Sequence, residues 1–221
     1  MLENCKHVFK LDPNKTISDE DLEKICESDT DLIIIGGTDG VTQSNVLDLM
    51  ARTRRYFTPI ALELSNLEAV VPGFDHYFVP AVFNTNDMKF QHGLLLEALK
   101  RYTHLLDFDS VSLMPYLIFN ESCKAFKYAN CNPIQDEDIE HYVNLIDKMY
   151  RQQYMYIEYS GTLADVETLK RIHQAKSDIH MIYGGGINSK EAFNERMPYA
   201  DTIVVGNLIY EDINAALNTV I

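Results

Sequence analysis

Lys10 and Asp12 stand two apart in "FKLDP". On a strand that spacing puts both side chains on one face, with the carboxylate at the C-terminal rim. A rim carboxylate beside a hydroxyl suits Mg²⁺, which takes few protein ligands and keeps waters and phosphate oxygens for the rest. The hydroxyl is Thr38 in "GGTDG", where Asp39 competes with Asp12 as the metal carboxylate. In "YIEYSG", Tyr156, Glu158 and Ser160 share one face, and Ile157 and Tyr159 the other. A carboxylate turned inward there needs a partner or a substrate, so Glu158 either meets a substrate or is half of a structural ion pair. The third pattern is glycine: Gly184, Gly185 and Gly186 end one apolar run, Gly206 and Asn207 another. Such backbone either turns tightly or approaches a bound group, and its amides can cradle a phosphate at the start of a following helix.

These groups must be carried by short apolar runs bounded by turn residues. Eight are present: Val8 to Pro13, Leu32 to Gly37, Pro59 to Ser65, Tyr77 to Phe83, Val111 to Phe119, Met155 to Ser160, His180 to Gly186 and Thr202 to Asn207. Most are continuously apolar, as parallel strands covered on both faces are. Helical spacing fills most of the intervals. Leu22, Ile25 and Cys26 follow Ser18 and Asp21 at capping-box spacing, and Val46, Leu47, Leu49 and Met50 follow Thr42. Ile139, Tyr142, Val143, Ile146 and Met149 form the fifth such stripe, Val166, Leu169 and Ile172 the sixth, and Ile209, Ile213, Ala216, Leu217 and Val220 the last. Asn188 or Ser189 can cap the seventh helix, and the eighth is expected from about Tyr210. Strand and helix alternating eightfold predict a (β/α)8 barrel over residues 1–221, one domain, with its site at the C-terminal ends of the strands. The third unit departs from the pattern. Only eleven residues, "NLEAVVPGFDH", separate the third and fourth runs, too few for a helical crossover, so the third helix is expected to be missing.

Composition narrows the partners. Acidic residues number 33 against 19 basic, a formal net charge of -14, which leaves no electrostatic footprint for nucleic acid. Any anionic substrate must then be held locally, by amides, a lysine or a metal. The four cysteines have no zinc-ligand or C-x-x-C spacing and read as reduced thiols of a cytoplasmic protein. The seven histidines form no ligand spacing and read as ordinary surface or core residues. No apolar run approaches the roughly 20 residues that span a bilayer, although transient contact with a membrane surface suits a protein that handles a lipid.

"FKLDP", "IGGTDGVT", "VPGFD", "YIEYSG", "YGGGI" and "DTIVVGN" occur together and in this order from Val8 to the C-terminus. In them the chain resembles the geranylgeranylglyceryl phosphate synthases and their bacterial branch, the PcrB-type heptaprenylglyceryl phosphate synthases. The resemblance implies a modified barrel without its third helix. It implies transfer of a polyprenyl group, heptaprenyl in the bacterial branch, from its diphosphate to the 3-hydroxyl of sn-glycerol 1-phosphate, with Mg²⁺ as the cofactor. Position by position it implies glycerol-phosphate contacts at Lys10, at Tyr156, Ile157, Glu158, Tyr159, Ser160 and Gly161, and at Gly186, Gly206 and Asn207, with the metal at Asp12 and Thr38. In that reaction Glu158 is the expected base or orienting acceptor. Ala98, in line with Phe90 and Leu94 at every fourth residue, stands where the resemblance implies a small residue leaving room for a long tail. A homodimer is implied as well. The nearest rival with the same phosphate loops is a barrel isomerase or aldolase acting on a sugar phosphate; a non-enzymatic ligand-binding barrel is the rival from another class.

Overall fold

The computed structural model describes residues 2–105 and 107–221. Eight parallel strands, β1 (His7–Leu11), β2 (Leu32–Ile35), β3 (Ile60–Glu63), β4 (His76–Val82), β5 (Val111–Ile118), β6 (Tyr154–Glu158), β7 (His180–Gly184) and β8 (Thr202–Val205), close into a barrel in chain order. Their short β-branched and aromatic runs are buried on both faces, which is why they read as continuous apolar stretches. One set of side chains, including Val8, Ile34, Phe78, Met114 and Ile182, fills the barrel. The alternate set, including Phe9, Ile33, Leu117 and Ile157, packs outward against the helices.

The helices begin where their caps place them. Ser18 caps α1 (Asp19–Cys26) by accepting from the Asp21 amide, and Thr42 and Asn45 form a reciprocal capping box at α2 (Gln43–Thr53). Between β3 and β4 the chain makes only a single 3-10 turn, Leu67–Ala69, so the third helix is absent as the short connection predicts. On that flank Leu64, Val70 and Tyr77 stay half-buried. The next helix, α3 (Leu94–Tyr102), is preceded by a π turn, Lys89–Gly93. Then come α4 (Lys124–Tyr128), α5 (Ile139–Asn144), α6 (Val166–Ala175), α7 (Lys190–Arg196), α8 (Leu208–Glu211) and α9 (Ile213–Leu217).

Three details differ from the apolar stripes. Leu47 is exposed on α2. Met149 is exposed while Ile146 is fully buried, because the turn Leu145–Met149 is a π turn whose extra residue rotates Met149 off the stripe. The eighth helix starts at Leu208, two residues before Tyr210, and α9 follows it after Asp212.

Candidate functional site

The C-terminal ends of the strands open into a cleft of about 730 Å³. Lys10 reaches it from within the barrel. Its Nζ donates to both carboxylate oxygens of Glu63, at 2.7 and 2.8 Å, and lies 5.8 Å from the centre of the Tyr156 ring. Tyr116 donates its hydroxyl to Glu63 Oε2 and stacks on Tyr156 with centroids 4.4 Å apart and planes 15° apart. Both phenols are held well above their usual range, first by burial and then by the surrounding carboxylates. Burial pulls the Lys10 ammonium down, but Glu63 and Glu158 outweigh it, and Lys10 holds its proton more tightly than a free lysine. Glu158 is also buried and accepts a 2.6 Å hydrogen bond from the Ser160 amide. Burial raises its proton affinity, and neither Lys10 nor the Ser160 contacts bring it back to the ordinary carboxylate value. The structural-pair option thus falls to Glu63, a residue sequence reasoning missed. Its signal was present: "IALE" ends at an inward glutamate as "YIE" does.

The glycine run is required first by packing. A side chain at Gly184 would put its Cβ 2.0 Å from Tyr156 Oη. Gly185 and Gly186 have φ of +145° and +64°, and a Cβ there would meet backbone atoms of Tyr159 at 2.4 Å and of Thr162 at 2.2 Å. The loop after β7 therefore nests against the loop after β6, and Tyr159 donates its amide to the Gly184 carbonyl at 2.7 Å. Gly206 differs: a Cβ there would meet nothing closer than the Lys10 carbonyl at 3.7 Å, so its missing side chain leaves room in the cleft itself. Of the residues from Tyr156 to Gly161, Tyr156, Glu158, Ser160 and Gly161 line the cleft. Ile157 and Tyr159 face the outer core, where Tyr159 stacks on Phe119, and they can offer a ligand only backbone.

Asp12 and Thr38 both line the cleft. Asp12 accepts from the Asn14 amide at 2.9 Å and fills the space a side chain at Gly37 would take, with its Oδ1 2.6 Å from that Cβ position. Asp39 is bound instead to Lys124 Nζ at 2.6 Å, across the mouth. Asp12 and Asp39, the two carboxylates the sequence left open, both line the cleft, and only Asp39 is tied to a lysine. Among the described residues no group of three or more histidine, cysteine or acidic side chains could hold a metal. One carboxylate and one hydroxyl, both hard oxygen donors, fit Mg²⁺, which completes its shell with water and phosphate. Lys15, which sequence reasoning passed over, donates to Asn207 Oδ1 at 2.9 Å and lies over the Tyr210 ring. Ala98 is buried on α3. The π turn ahead of Leu94 breaks the regular spacing that linked it to Phe90, although Phe90 and Leu94 both pack with the barrel-side cluster.

A sequence model of the PcrB family matches residues 1–221. Among solved structures, the chain is similar to (S)-3-O-geranylgeranylglyceryl phosphate synthase from Thermoplasma acidophilum, a crystal structure in complex with substrate sn-glycerol-1-phosphate. The match has a TM-score of 0.84 at 19% identity and covers 98% of this chain and 93% of that one. Wild-type GGGPS from Thermoplasma volcanium matches with a TM-score of 0.83 at 22% identity, over 99% and 92% of the two chains. Thiamine phosphate pyrophosphorylase from Pyrococcus furiosus matches with a TM-score of 0.59 at 14% identity, over 98% and 94%. At these identities the likeness to solved structures is one of fold.

Proposed function

The chain belongs to the PcrB family, and we propose that it transfers a polyprenyl group, of heptaprenyl length, from its diphosphate to the 3-hydroxyl of sn-glycerol 1-phosphate. The observation that carries this reading is the meeting, in one cleft, of Lys10, Asp12, Thr38 and Glu158 with the glycine loops after β7 and β8. A glycerol phosphate and a diphosphate are both anions, and this cleft offers them a lysine and glycine-rich loops.

In this reading Lys10 and the amides of Gly186, Gly206 and Asn207 hold the phosphate of the glycerol substrate. Ser160 and Gly161 border the glycerol hydroxyls, and Glu158 faces the attacking one. The allylic C–O bond breaks with its electron pair leaving on the diphosphate, the glycerol oxygen forms the new C–O bond to that carbon, and its proton passes to Glu158. The raised proton affinity of Glu158 suits the acceptor role. Asp12 and Thr38 would hold Mg²⁺, which supplies neutralisation of the leaving diphosphate. The apolar tail would lie along the flank without a third helix, excluding water that would otherwise capture the carbon centre. Among the described residues no helix is long and apolar enough to cross a membrane.

The deciding experiment is turnover with glycerol 1-phosphate against a ladder of prenyl diphosphates, alongside thermal stabilisation by glycerol 1-phosphate and by inorganic diphosphate with Mg²⁺. Turnover peaking at long donors supports the proposal. Stabilisation by phosphates with no turnover of any prenyl donor would favour the sugar-phosphate isomerase reading. Tail length is probed at Ala98. Burial of one CH₂ is worth about 0.8 kcal/mol, so blocking one five-carbon unit costs up to about 4 kcal/mol. Ala98→Trp should therefore shift kcat/KM from heptaprenyl toward geranylgeranyl diphosphate; an unchanged ratio in the folded variant would mean that the tail runs elsewhere.

A further inference from the structure

Two carboxylates compete for one half-buried ammonium. Glu63 and Glu158 end β3 and β6, and both exert their charge on Lys10, yet Lys10 gives both of its charge-assisted hydrogen bonds to Glu63. Glu158 is left with the amide and hydroxyl of Ser160. The preference is built into the packing. Glu63 is pinned from one side by the Tyr116 hydroxyl, and Tyr116 is itself fixed by its stack on Tyr156. On the other side Glu63 lies against Gly36, where an added Cβ would sit 2.8 Å from Glu63 Cβ. Lys10 lines the cleft and Glu63 is not among its lining residues, so Glu63 stands behind the lysine rather than at the ligand.

We infer that Glu63, held by Tyr116, is a positioning residue: it fixes the Lys10 ammonium at the phosphate side of the cleft and keeps it from neutralising Glu158. This rests on the prenyl-transfer reading for its consequence in turnover, though the arrangement itself does not. A bidentate carboxylate fixes an ammonium in place where a single contact would let it swing. With Lys10 committed to Glu63, the charge on Glu158 stays poorly compensated, and that keeps it an effective proton acceptor. The groups facing Glu158 are Lys10 from β1, Glu63 from β3, Tyr116 from β5, Cys123 beside α4, Tyr156 on its own strand and Tyr183 from β7. Lys10 alone in this set is a cation, so its direction sets how far the burial of Glu158 is offset.

The test uses Glu63→Gln and, as the variant that keeps shape, Tyr116→Phe. Glu63→Gln should raise KM for glycerol 1-phosphate roughly 10- to 100-fold, the worth of one misplaced charged contact, with KM for the prenyl diphosphate unchanged. Tyr116→Phe should move the same constant in the same direction by less. Loss of the Glu63 charge lowers the proton affinity of Glu158 by itself, so the deciding midpoint is that of Tyr116→Phe, in which Glu63 keeps its charge but loses its anchor and frees Lys10 to turn toward Glu158. There the acidic limb of the pH–rate profile should still move to lower pH, and carbon-13 NMR of the Glu158 carboxyl in the free protein should show the same downward shift of its midpoint. A structural role alone would lower the melting temperature without separating the two KM values or moving that midpoint. If wild type turns over prenyl donors and neither quantity moves, the inference falls and the function stands. If the midpoint moves but wild type turns over no prenyl donor, the positioning role stands and the function falls; if wild type is inactive and the midpoint is fixed, both fall.

Discussion

Three strands of the barrel begin at a histidine, and two end at a buried glutamate. At the N-terminal end, His7 sits 2.9 Å from Thr30 Oγ1 on one ring nitrogen and 2.9 Å from Thr219 Oγ1 on the other. His76 meets Ser112 and His180 meets Thr202 in the same way. Burial lowers the proton affinity of all three imidazoles, which favours their neutral form, and each is matched to a neutral hydroxyl. At the opposite end stand half-buried Lys10 and buried Glu63 and Glu158, where one ammonium faces two carboxylates and burial of Glu158 is only partly offset. Neutral pairs satisfy their hydrogen bonds at little desolvation cost, whereas buried charges are costly and weak evidence for stability. On the prenyl-transfer reading, the first end serves the fold and the second keeps charge where a phosphate and a proton would be handled.

If so, substitutions should separate activity from stability by the end they strike. The largest effect is expected at the rim: Asp12→Ala should abolish turnover at any Mg²⁺ concentration. The fold should survive, since the hydrogen bond that the Asp12 carboxylate accepts from the Asn14 amide is exposed to solvent, and water can replace it. Steady-state rates and circular dichroism check both halves, and near-normal turnover in the folded variant would remove Asp12 from the metal site. Glu158→Gln should come next, with the rate lowered roughly 10²- to 10⁴-fold and prenyl diphosphate affinity retained. Its melting temperature should not fall, because the change removes a buried, under-compensated charge. A loss of stability with unchanged turnover would instead put Glu158 in the same class as the histidines.

The legibility of the two ends differs for a physical reason. Strand periodicity and the eleven-residue connection were enough to read the barrel and its missing helix, because both depend on neighbours in sequence. The rim residues Lys10, Asp12 and Glu158 were readable because each sits in a short motif with its own turn chemistry. Glu63 was not, because its meaning comes from a lysine 53 positions away. Register pairs Lys10 with Ile34 and Ile34 with Ala61, and only that places Glu63 one inward step above the lysine's level. His7 read as an ordinary residue for the same reason, its partner Thr219 lying 212 positions away at the far end of the chain. The glycine run was legible as a requirement, but what it accommodates, a tyrosine hydroxyl and a neighbouring loop, belongs to tertiary structure.

The smallest expected effect comes from the base, and it depends on pH. Burial brings His7 down to about 4, with Asp31 opposing in part, while an unfolded histidine titrates near 6.5. Between those values the unfolded chain binds a proton that the folded chain refuses. Stability should therefore be full above about pH 6.5 and fall as the pH drops toward 4. At about 1.36 kcal/mol per pH unit the loss from this one group reaches about 3 kcal/mol. Many carboxylates also titrate near the lower limit, so the clean measurement is a difference. His7→Gln keeps an amide that can donate and accept but cannot titrate in this range. Urea unfolding of both proteins at pH 7, 5.5 and 4 should show wild type losing its advantage as pH falls, while turnover of the variant at neutral pH stays close to wild type. A gap that is constant with pH would mean that His7 remains protonatable in the fold; a large loss of turnover would mean that the two ends are coupled rather than divided in labour.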